Sequence, residues 1–190
     1  MFARLSRPSL EEVRAHLASQ QGQPFTYEPV GATRDGHEPP GFNHDHNRQQ
    51  LGAGSADFAR ACEAIRGWKM FPAPLAFIEP LPIAIREGEL AGVVIRALGL
   101  WWLNAARIAY VIDEPRRFGF AYGTLPGHVE AGEERFLVEH LDDDTVWYDL
   151  RAFSRPRYWP VRLGKPAARF LQRRFGRLSK AAMVAAVERR

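Results

Sequence analysis

The chain has 190 residues, of which 46% are hydrophobic, 12% aromatic and 25% charged, and its formal net charge is +4. This length and composition predict one folded domain of good size and exclude a disordered or low-complexity chain. The single cysteine, Cys62, excludes an internal disulfide and a thiolate metal cluster, and its place among helical apolar positions predicts a core residue.

No run of residues approaches the roughly 20 apolar positions of a membrane span, and the N-terminus lacks the order of regions found in a signal peptide. We therefore expect a cytoplasmic protein without stable membrane insertion. The excess positive charge lies in the arginine-rich last third, which allows a polyanionic partner without requiring one.

The chain begins with a helical signal. Ser9 and Glu12 form a capping box, and the apolar residues that follow predict a short helix to about Gln20. We interpret residues 1–23 as a helical appendage to a single domain over 24–190.

The next stretch predicts a mixture of loop and short elements. Residues 25–30 alternate like a strand, and Pro29 favours an edge position, whereas the glycines and prolines of 31–54 predict a long loop. Apolar spacing predicts a helix over 55–66, ended by Gly67. Short strands are predicted over 75–79 and 83–86.

From Leu90 onward the pattern has a period of two and is rich in aromatic and β-branched residues, which predicts a sheet. The predicted strands span 91–98, 107–113, 117–124, 132–140 and 145–153. Their short connections predict an antiparallel meander, in which the link 125–131 is the longest.

A long amphipathic helix is predicted from about Pro166 to the C-terminus. Its apolar stripe is Leu171, Phe175, Leu178, Ala182 and Ala185, and its basic side carries Arg169, Arg173, Arg177 and Lys180. The order of elements predicts an α+β fold in which a curved antiparallel sheet is wrapped around this C-terminal helix.

Four segments carry a resemblance to a known family. They are Gly99-Leu100-Trp101-Trp102-Leu103-Asn104, the stretch from Phe118 to His128, Gly132-Glu133-Glu134-Arg135-Phe136 and Val146-Trp147-Tyr148-Asp149. Together with Gly31-Ala32-Thr33 and the His44-Asp45 dipeptide, they resemble uncharacterised protein family 0548 of bacteria and plants. The order of elements resembles the helix-grip fold of START-like and birch-pollen-allergen-like proteins, which implies a hydrophobic cavity between sheet and helix.

The hairpin around 125–131 is the candidate site. On the strand after it, Glu134 shares a face with Phe136 and is expected to point into the cavity, whereas Glu133 and Arg135 share the other face. The residues predicted to bind a ligand are Tyr122, His128, Glu130, Glu134, Trp102 and Tyr148. The structural alternative is that the charged residues pair with their neighbours and that the glycines only shape a hairpin.

Three functions from different classes fit these residues. The first is a protein that binds a small hydrophobic or amphipathic molecule and uses no cofactor. The second is an enzyme of the hydrolase or cyclase type, with Glu134 or His128 as general acid or base in the same cavity. The third is a surface module that binds anionic lipid or nucleic acid through Arg169, Arg173 and Arg177, although we do not expect nucleic acid.

His44, Asp45 and His46 carry metal-ligand atoms, and His37 or His128 would complete a set. Their spacing supports no metal site, so we interpret them as exposed loop residues or helix caps. The sequence contains no phosphate-binding glycine loop before a helix, no nucleophile elbow and no metalloprotease signature.

Overall fold

The computed structural model describes residues 3–37, 39–157 and 165–188, with backbone only for 165–168. In chain order the elements are β1 Ala3–Arg4, α1 Leu10–Ser19, β2 Asn43–Ala53, α2 Gly54–Arg66, β3 Ala76–Glu79, β4 Leu90–Ala97, β5 Leu100–Glu114, β6 Arg117–Thr124, β7 Glu130–His140, β8 Thr145–Pro156 and α3 Lys165–Glu188.

All the described strands belong to one antiparallel sheet with the order β2-β8-β7-β6-β5-β4-β3, and β1 pairs with β5. The sheet curls into a half-barrel, and α2 and α3 lie on its concave face. The predicted meander and the long C-terminal helix are therefore confirmed. The capping box is confirmed too, because the Ser9 side chain accepts from the Glu12 backbone while the Glu12 carboxylate accepts from the Ser9 backbone.

Tight turns hold the meander in register. Leu98 and Gly99 join β4 to β5, and both have positive φ angles, 55° and 76°, as a two-residue hairpin turn of type I′ requires. Asp144 takes the left-handed conformation at the β7–β8 turn. These turns keep the strands sequential, so that β6 and β7 bring Tyr122 opposite Glu134.

Two faces of the sheet are covered. The larger core lies on the concave face, where α2 and α3 pack on β4 to β8 through residues such as Ile65, Phe120 and Met183. A smaller cluster on the other face joins Val13 and Leu17 of α1 to β4 and β5. The segment 25–42, which we call the outer segment, also packs on that face through Tyr27 against Phe153.

The structure corrects several sequence predictions. Residues 25–30 and 83–86 are not strands, and the second half of the predicted loop 31–54 is the eleven-residue strand β2. Strand β5 begins at Leu100 rather than 107. The stripe of α3 is also rotated, since the buried residues over 169–188 are Gly176, Ser179, Met183 and Val187, while Ala185 is exposed.

Candidate functional site

A pocket of about 330 Å³ lies between the concave face of the sheet and α3. This volume falls at the lower end of the range typical of small-molecule sites. Apolar side chains form most of its wall, including Phe71, Val93, Ile95, Trp102 and Phe175. The hairpin residue Leu98 also lines it and is 73% exposed, so one side of the pocket meets solvent beside an apolar side chain.

Tyr122 and Glu134 form the central polar pair of this wall. They are directly opposite on β6 and β7, and the Tyr122 hydroxyl donates to Glu134 Oε2 at 2.5 Å. Glu134 keeps a small accessible surface toward the pocket, and the surrounding protein buries most of its side chain. This burial raises the pKa of Glu134 to about 7, and the hydrogen bond from Tyr122 only partly opposes the rise.

Glu130 is a second carboxyl group on the same wall. Gln172 of α3 reaches it, with 2.9 Å between Gln172 Nε2 and Glu130 Oε1, and also donates to Ser154 Oγ at 3.0 Å. Burial raises the pKa of Glu130, and the Gln172 hydrogen bond opposes that rise. At Glu130 the helix therefore meets the sheet through a neutral donor that faces an acidic group.

His128 lines the same pocket as a neutral ring. Burial lowers its pKa to about 3, and its Nδ1 accepts a hydrogen bond of 3.0 Å from the Glu130 backbone N–H. Because Nδ1 is an acceptor, the proton of the neutral ring is on Nε2. This hydrogen bond anchors the backbone at the start of β7. It also occupies the Nδ1 lone pair, which is therefore not free to accept a proton or a hydrogen bond from a ligand.

The hairpin link 125–131 is held from several directions. Gly127 N donates to Gln20 Oε1 at 2.7 Å, and Val129 N donates at 3.2 Å to Asn104, a fully buried residue of the pocket wall. These anchors fix His128 and Glu130 relative to the sheet. The link is thus a rigid part of the site.

Asp45 of β2 also lines the pocket and is paired with a cation. Arg169 of α3 donates to both of its carboxylate oxygens, at 2.5 and 2.9 Å. Arg169 is therefore used to dock the helix on the edge strand, whereas Arg173 and Arg177 are exposed.

Glu133 and Arg135 lie on the opposite face of the sheet and hold the outer segment. Glu133 accepts hydrogen bonds from the Tyr27 hydroxyl, the Gly31 N–H and both the N–H and the hydroxyl of Thr33. Arg135 donates to the Thr33 carbonyl and to Asp149. The Gly31-Ala32-Thr33 and Gly132-Glu133-Glu134-Arg135-Phe136 motifs therefore meet in one buried polar network.

The structure brings five of the six predicted site residues to the pocket: Tyr122, His128, Glu130, Glu134 and Trp102. Trp102 contributes an apolar wall, with its indole N–H donating to the Ala97 carbonyl at 3.2 Å. Tyr148 is not at the pocket. It is fully buried beneath α3, and its hydroxyl lies 2.9 Å from Ser179 Oγ.

Asp45, Asn104 and Gln172 are polar pocket residues that sequence reasoning did not select as site residues. Asp45 and Asn104 fall within the segments that carry the family resemblance, so those segments held the signal. Gln172 follows Leu171 on α3, and only the packed position of the helix shows that it reaches Glu130.

The metal-site candidates His44, Asp45 and His46 lie on strand β2 rather than in a loop, so their side chains alternate between faces, and His37 and His128 lie outside this strand. His44 Nε2 lies 3.0 Å from the Pro39 carbonyl, and Asp45 is paired with Arg169. His46 donates to Asp149 Oδ2 at 2.7 Å. Burial works to raise the pKa of Asp149, but hydrogen bonds from His46 and Arg135 outweigh it and hold that pKa below its usual value.

A half-barrel sheet with a polar pair in an apolar pocket beneath a C-terminal helix places this molecule among the helix-grip proteins. The ZhuI aromatase/cyclase from Streptomyces sp. R1128 shares this fold, with a TM-score of 0.59 and 12% identity over 78% of this chain and 95% of that chain. At this identity the likeness shows the fold alone.

The chain belongs to the family described as a domain of unknown function, DUF1990, whose model matches residues 26–182. A UPF0548 protein of Deinococcus radiodurans is 36% identical over 186 residues, covering 91% of this chain and 92% of the relative. A UPF0548 protein of Dictyostelium discoideum is 32% identical over 192 residues, covering 89% of this chain and 88% of the relative. The resemblance to family 0548 is confirmed.

None of the helices in the described ranges combines the length and the apolar character that a membrane span requires.

Proposed function

We propose that this protein binds a small amphipathic organic molecule in the pocket between the sheet and α3. The observation that carries the proposal is the Tyr122–Glu134 hydrogen-bonded pair, which lies with a few other polar groups in a largely apolar wall. An apolar pocket with a few convergent polar groups is the usual form of a ligand site, because apolar burial supplies affinity and the polar groups fix orientation. The aromatic rings of Phe71, Trp102 and Phe175 would contact the apolar part of the ligand.

Native mass spectrometry of the protein purified from its own host tests the proposal directly. A stoichiometric small molecule released on denaturation would support a ligand-binding function. In parallel, the neutral dye N-phenyl-1-naphthylamine reports on an apolar site, because its emission rises when it leaves water. We expect saturable binding of this dye by the wild-type protein.

A variant that fills the pocket sharpens the dye experiment. Ala152 lies opposite Glu134 on β8 and lines the pocket, so Ala152→Trp is expected to occupy the ligand volume. The matched control is Ala181→Trp, which adds the same side chain on the exposed side of α3. Dye binding should fall for the first variant and persist for the second. No dye binding by the wild type, together with no co-purifying molecule, would refute the proposed function.

A catalytic role for the same pocket is the second candidate, and the pKa of Glu134 favours it. A carboxyl group with a pKa of about 7 exchanges a proton readily near neutral pH, as a general acid or base must. His128 is the weaker of the two predicted acid–base groups, because its Nδ1 is used by the Glu130 backbone and its pKa is about 3.

The compound that co-purifies supplies the test of catalysis. On prolonged incubation, an enzyme would convert it to a product of different mass, and Glu134→Gln would stop the conversion while still binding the compound. A compound that stays unchanged with the wild-type protein would leave binding as the function. Conversion that survives Glu134→Gln would remove Glu134 as the acid or base.

A further inference from the structure

The described side chains that line the pocket include the acidic residues Asp45, Glu130, Glu133 and Glu134 and no lysine or arginine. This is the reverse of the chain as a whole, which has a formal net charge of +4. The Glu133 side chain is turned to the opposite face, and Asp45 is neutralised by Arg169. Two carboxyl groups, those of Glu130 and Glu134, are therefore left to set the charge of the pocket.

Neither Glu130 nor Glu134 forms a salt bridge within the described part of the chain. Their hydrogen-bond partners are neutral, the Tyr122 hydroxyl for Glu134 and the Gln172 amide for Glu130. Burial raises the pKa of Glu130, and the charge of Arg169, which is paired with Asp45, offsets only part of that rise. A carboxylate taken out of water without a counter-charge is costly, and a neutral donor offsets only part of that cost. A positively charged ligand group would supply what the protein side of the site does not.

The surrounding wall suits such a group as well. The rings of Phe71 and Tyr122 lie on the wall beside the carboxyl groups with their centroids 6.2 Å apart, and both pack against the fully buried ring of Phe136. The faces of aromatic rings attract cations, and apolar side chains accept a hydrocarbon body. An anionic head group such as a carboxylate or phosphate would instead meet like charge in a region of low dielectric.

We infer that the ligand is an amphipathic amine whose protonated nitrogen binds between Glu130 and Glu134 while its hydrocarbon or aromatic part lies against Phe71, Trp102 and Phe175. This inference rests on the proposed function, since it names the chemical class of the molecule that the pocket holds.

Three probes that share one ring system and differ in head group test the inference. They are 2-(1-naphthyl)ethylamine, 2-(1-naphthyl)ethanol and 1-naphthylacetate, titrated into the full-length protein by isothermal calorimetry at pH 8. We expect the amine to bind at least about tenfold more tightly than the alcohol, and the carboxylate to bind most weakly. Equal or tighter binding of the alcohol or the carboxylate would overturn the inference.

Charge removal at Glu134 provides a matched comparison. Glu134→Gln keeps the size of the side chain, so it should weaken the amine about tenfold or more while leaving the affinity of the alcohol within about twofold. Retained alcohol binding also shows that the variant is folded. The control Glu63→Gln makes the same change on the exposed side of α2, where Glu63 pairs with Arg66, and should alter neither affinity. An unchanged amine affinity in Glu134→Gln would overturn the assigned role of this carboxyl group.

The pH dependence of probe affinity distinguishes recognition of the ligand's charge from recognition of its size. The pKa of Glu134 is about 7, so its carboxylate fraction rises roughly 30-fold between about pH 5.5 and about pH 8.5, and amine affinity should rise by a similar factor. The alcohol should show no such rise. If the alcohol binds in the pocket but the amine gains nothing with pH, the amine inference fails and the ligand-binding function stands. If none of the three probes binds and no molecule co-purifies, both fail.

Discussion

Two neighbouring glutamates on β7 show how the face of a strand decides the role of a residue. Glu133 lies on the outer face and is satisfied by four hydrogen bonds from Tyr27, Gly31 and Thr33. Glu134 lies on the inner face, where one hydroxyl donates to it and burial raises its pKa to about 7. The first carboxylate is fully used in holding the structure together, and the second is left for a ligand.

Removing the Tyr27 hydroxyl tests the hydrogen-bond network around Glu133. Tyr27→Phe removes its hydrogen bond of 2.7 Å to Glu133 and keeps the ring packed against Phe153. Hydrogen bonds to charged groups contribute about 1.5–3 kcal/mol, so the free energy of unfolding should fall by about that amount in urea titrations. Dye binding in the pocket should stay unchanged because Tyr27 is on the other face. A loss below about 0.5 kcal/mol would show that the remaining donors fully satisfy Glu133.

At these two positions the alternation of a strand was enough to predict that Glu133 and Glu134 face opposite ways. The partners of Glu133 could not be predicted, because Tyr27 and Thr33 are about 100 residues away in sequence. Tyr148 was placed at the pocket because it is an aromatic residue in a family segment. Tyr148 lies beneath Ser179 because of where α3 packs on the sheet. Strand alternation predicts which face a residue is on, but it does not predict which part of a helix covers that residue.

At the scale of elements, β2 was missed because its sequence is polar on both faces. It is the edge strand of the sheet and pairs only with β8, so it is not required to bury a continuous apolar face. Its inward residues Asp45 and Asn47 line the pocket, and its outward residues His46 and Arg48 bind Asp149. A strand without hydrophobic alternation has the sequence pattern of a loop, so the pattern predicts a loop.

The reverse error occurred for 25–30, where Phe25 and Tyr27 alternate with polar residues as in a strand. In the structure their rings pack on the outer face of the sheet. The backbone donates from Thr26 to the Thr124 carbonyl at 3.1 Å, and side-chain contacts rather than a continuous ladder hold the rest of the stretch. The outer face of β6 carries small residues from Gly119 to Gly123. At Gly123 it admits the ring of Tyr27.

Gly123 provides a test of this docking. A Cβ atom at this position would collide with the Tyr27 ring, so Gly123→Ala should displace the outer segment and cost about 1–3 kcal/mol of stability. Amide exchange at Gly31 and Thr33, both of which donate to Glu133, should become faster. If Gly123→Ala leaves both stability and exchange unchanged, the outer segment is not seated on this glycine.

Two comparisons isolate the Gly123 contact. Gly67→Ala, at the end of α2, adds a Cβ atom 3.3 Å from its neighbours at a φ of −81° and should cost less than the change at Gly123. In a Tyr27→Ala background the obstructing ring is absent, so Gly123→Ala should cost less than it does in the wild type. A double-mutant cycle measures this coupling.

The apolar stripe of α3 was predicted one position away from its true place. Gly176 and Ser179 are not large apolar residues, yet both are buried. The Ser179 hydroxyl forms a hydrogen bond with the Tyr148 hydroxyl. The helix therefore approaches the sheet closely around these small residues. The larger Leu171 and Phe175 lie to one side and form part of the pocket wall.

At the scale of the whole molecule, different elements bury the two faces of the sheet. Strand β6 is buried along nearly all its length because α2 and α3 cover one face while α1 and the outer segment cover the other. The order of elements and the family segments were sufficient to predict a helix-grip fold. On the convex face, the helix α1 was predicted from its capping box and apolar residues. The outer segment was not predictable, since it is held by turns and side-chain hydrogen bonds that lack a periodic pattern.

The electrostatics of the pocket should appear in the stability of the whole protein. The pKa of Glu134 is about 7 in the folded state, raised by burial from 4.5, so the folded protein binds more protons than the unfolded chain between these values. The contribution of Glu134 to stability is therefore complete below about pH 4.5 and is lost as the pH rises through 7. Between pH 5 and pH 8 the loss should be about 2–3 kcal/mol.

His128 acts in the opposite sense, because burial depresses its pKa to about 3 and its contribution is lost as the pH falls below 6.5. The two groups partly cancel in the wild-type profile, so the informative quantity is a difference. The unfolding free energy of the wild type minus that of Glu134→Gln should fall by about 2–3 kcal/mol from pH 5 to pH 8, since the His128 contribution is common to both proteins. A difference that stays flat across this range would mean that Glu134 titrates as an ordinary carboxylate, and the pocket would then be acidic at every physiological pH.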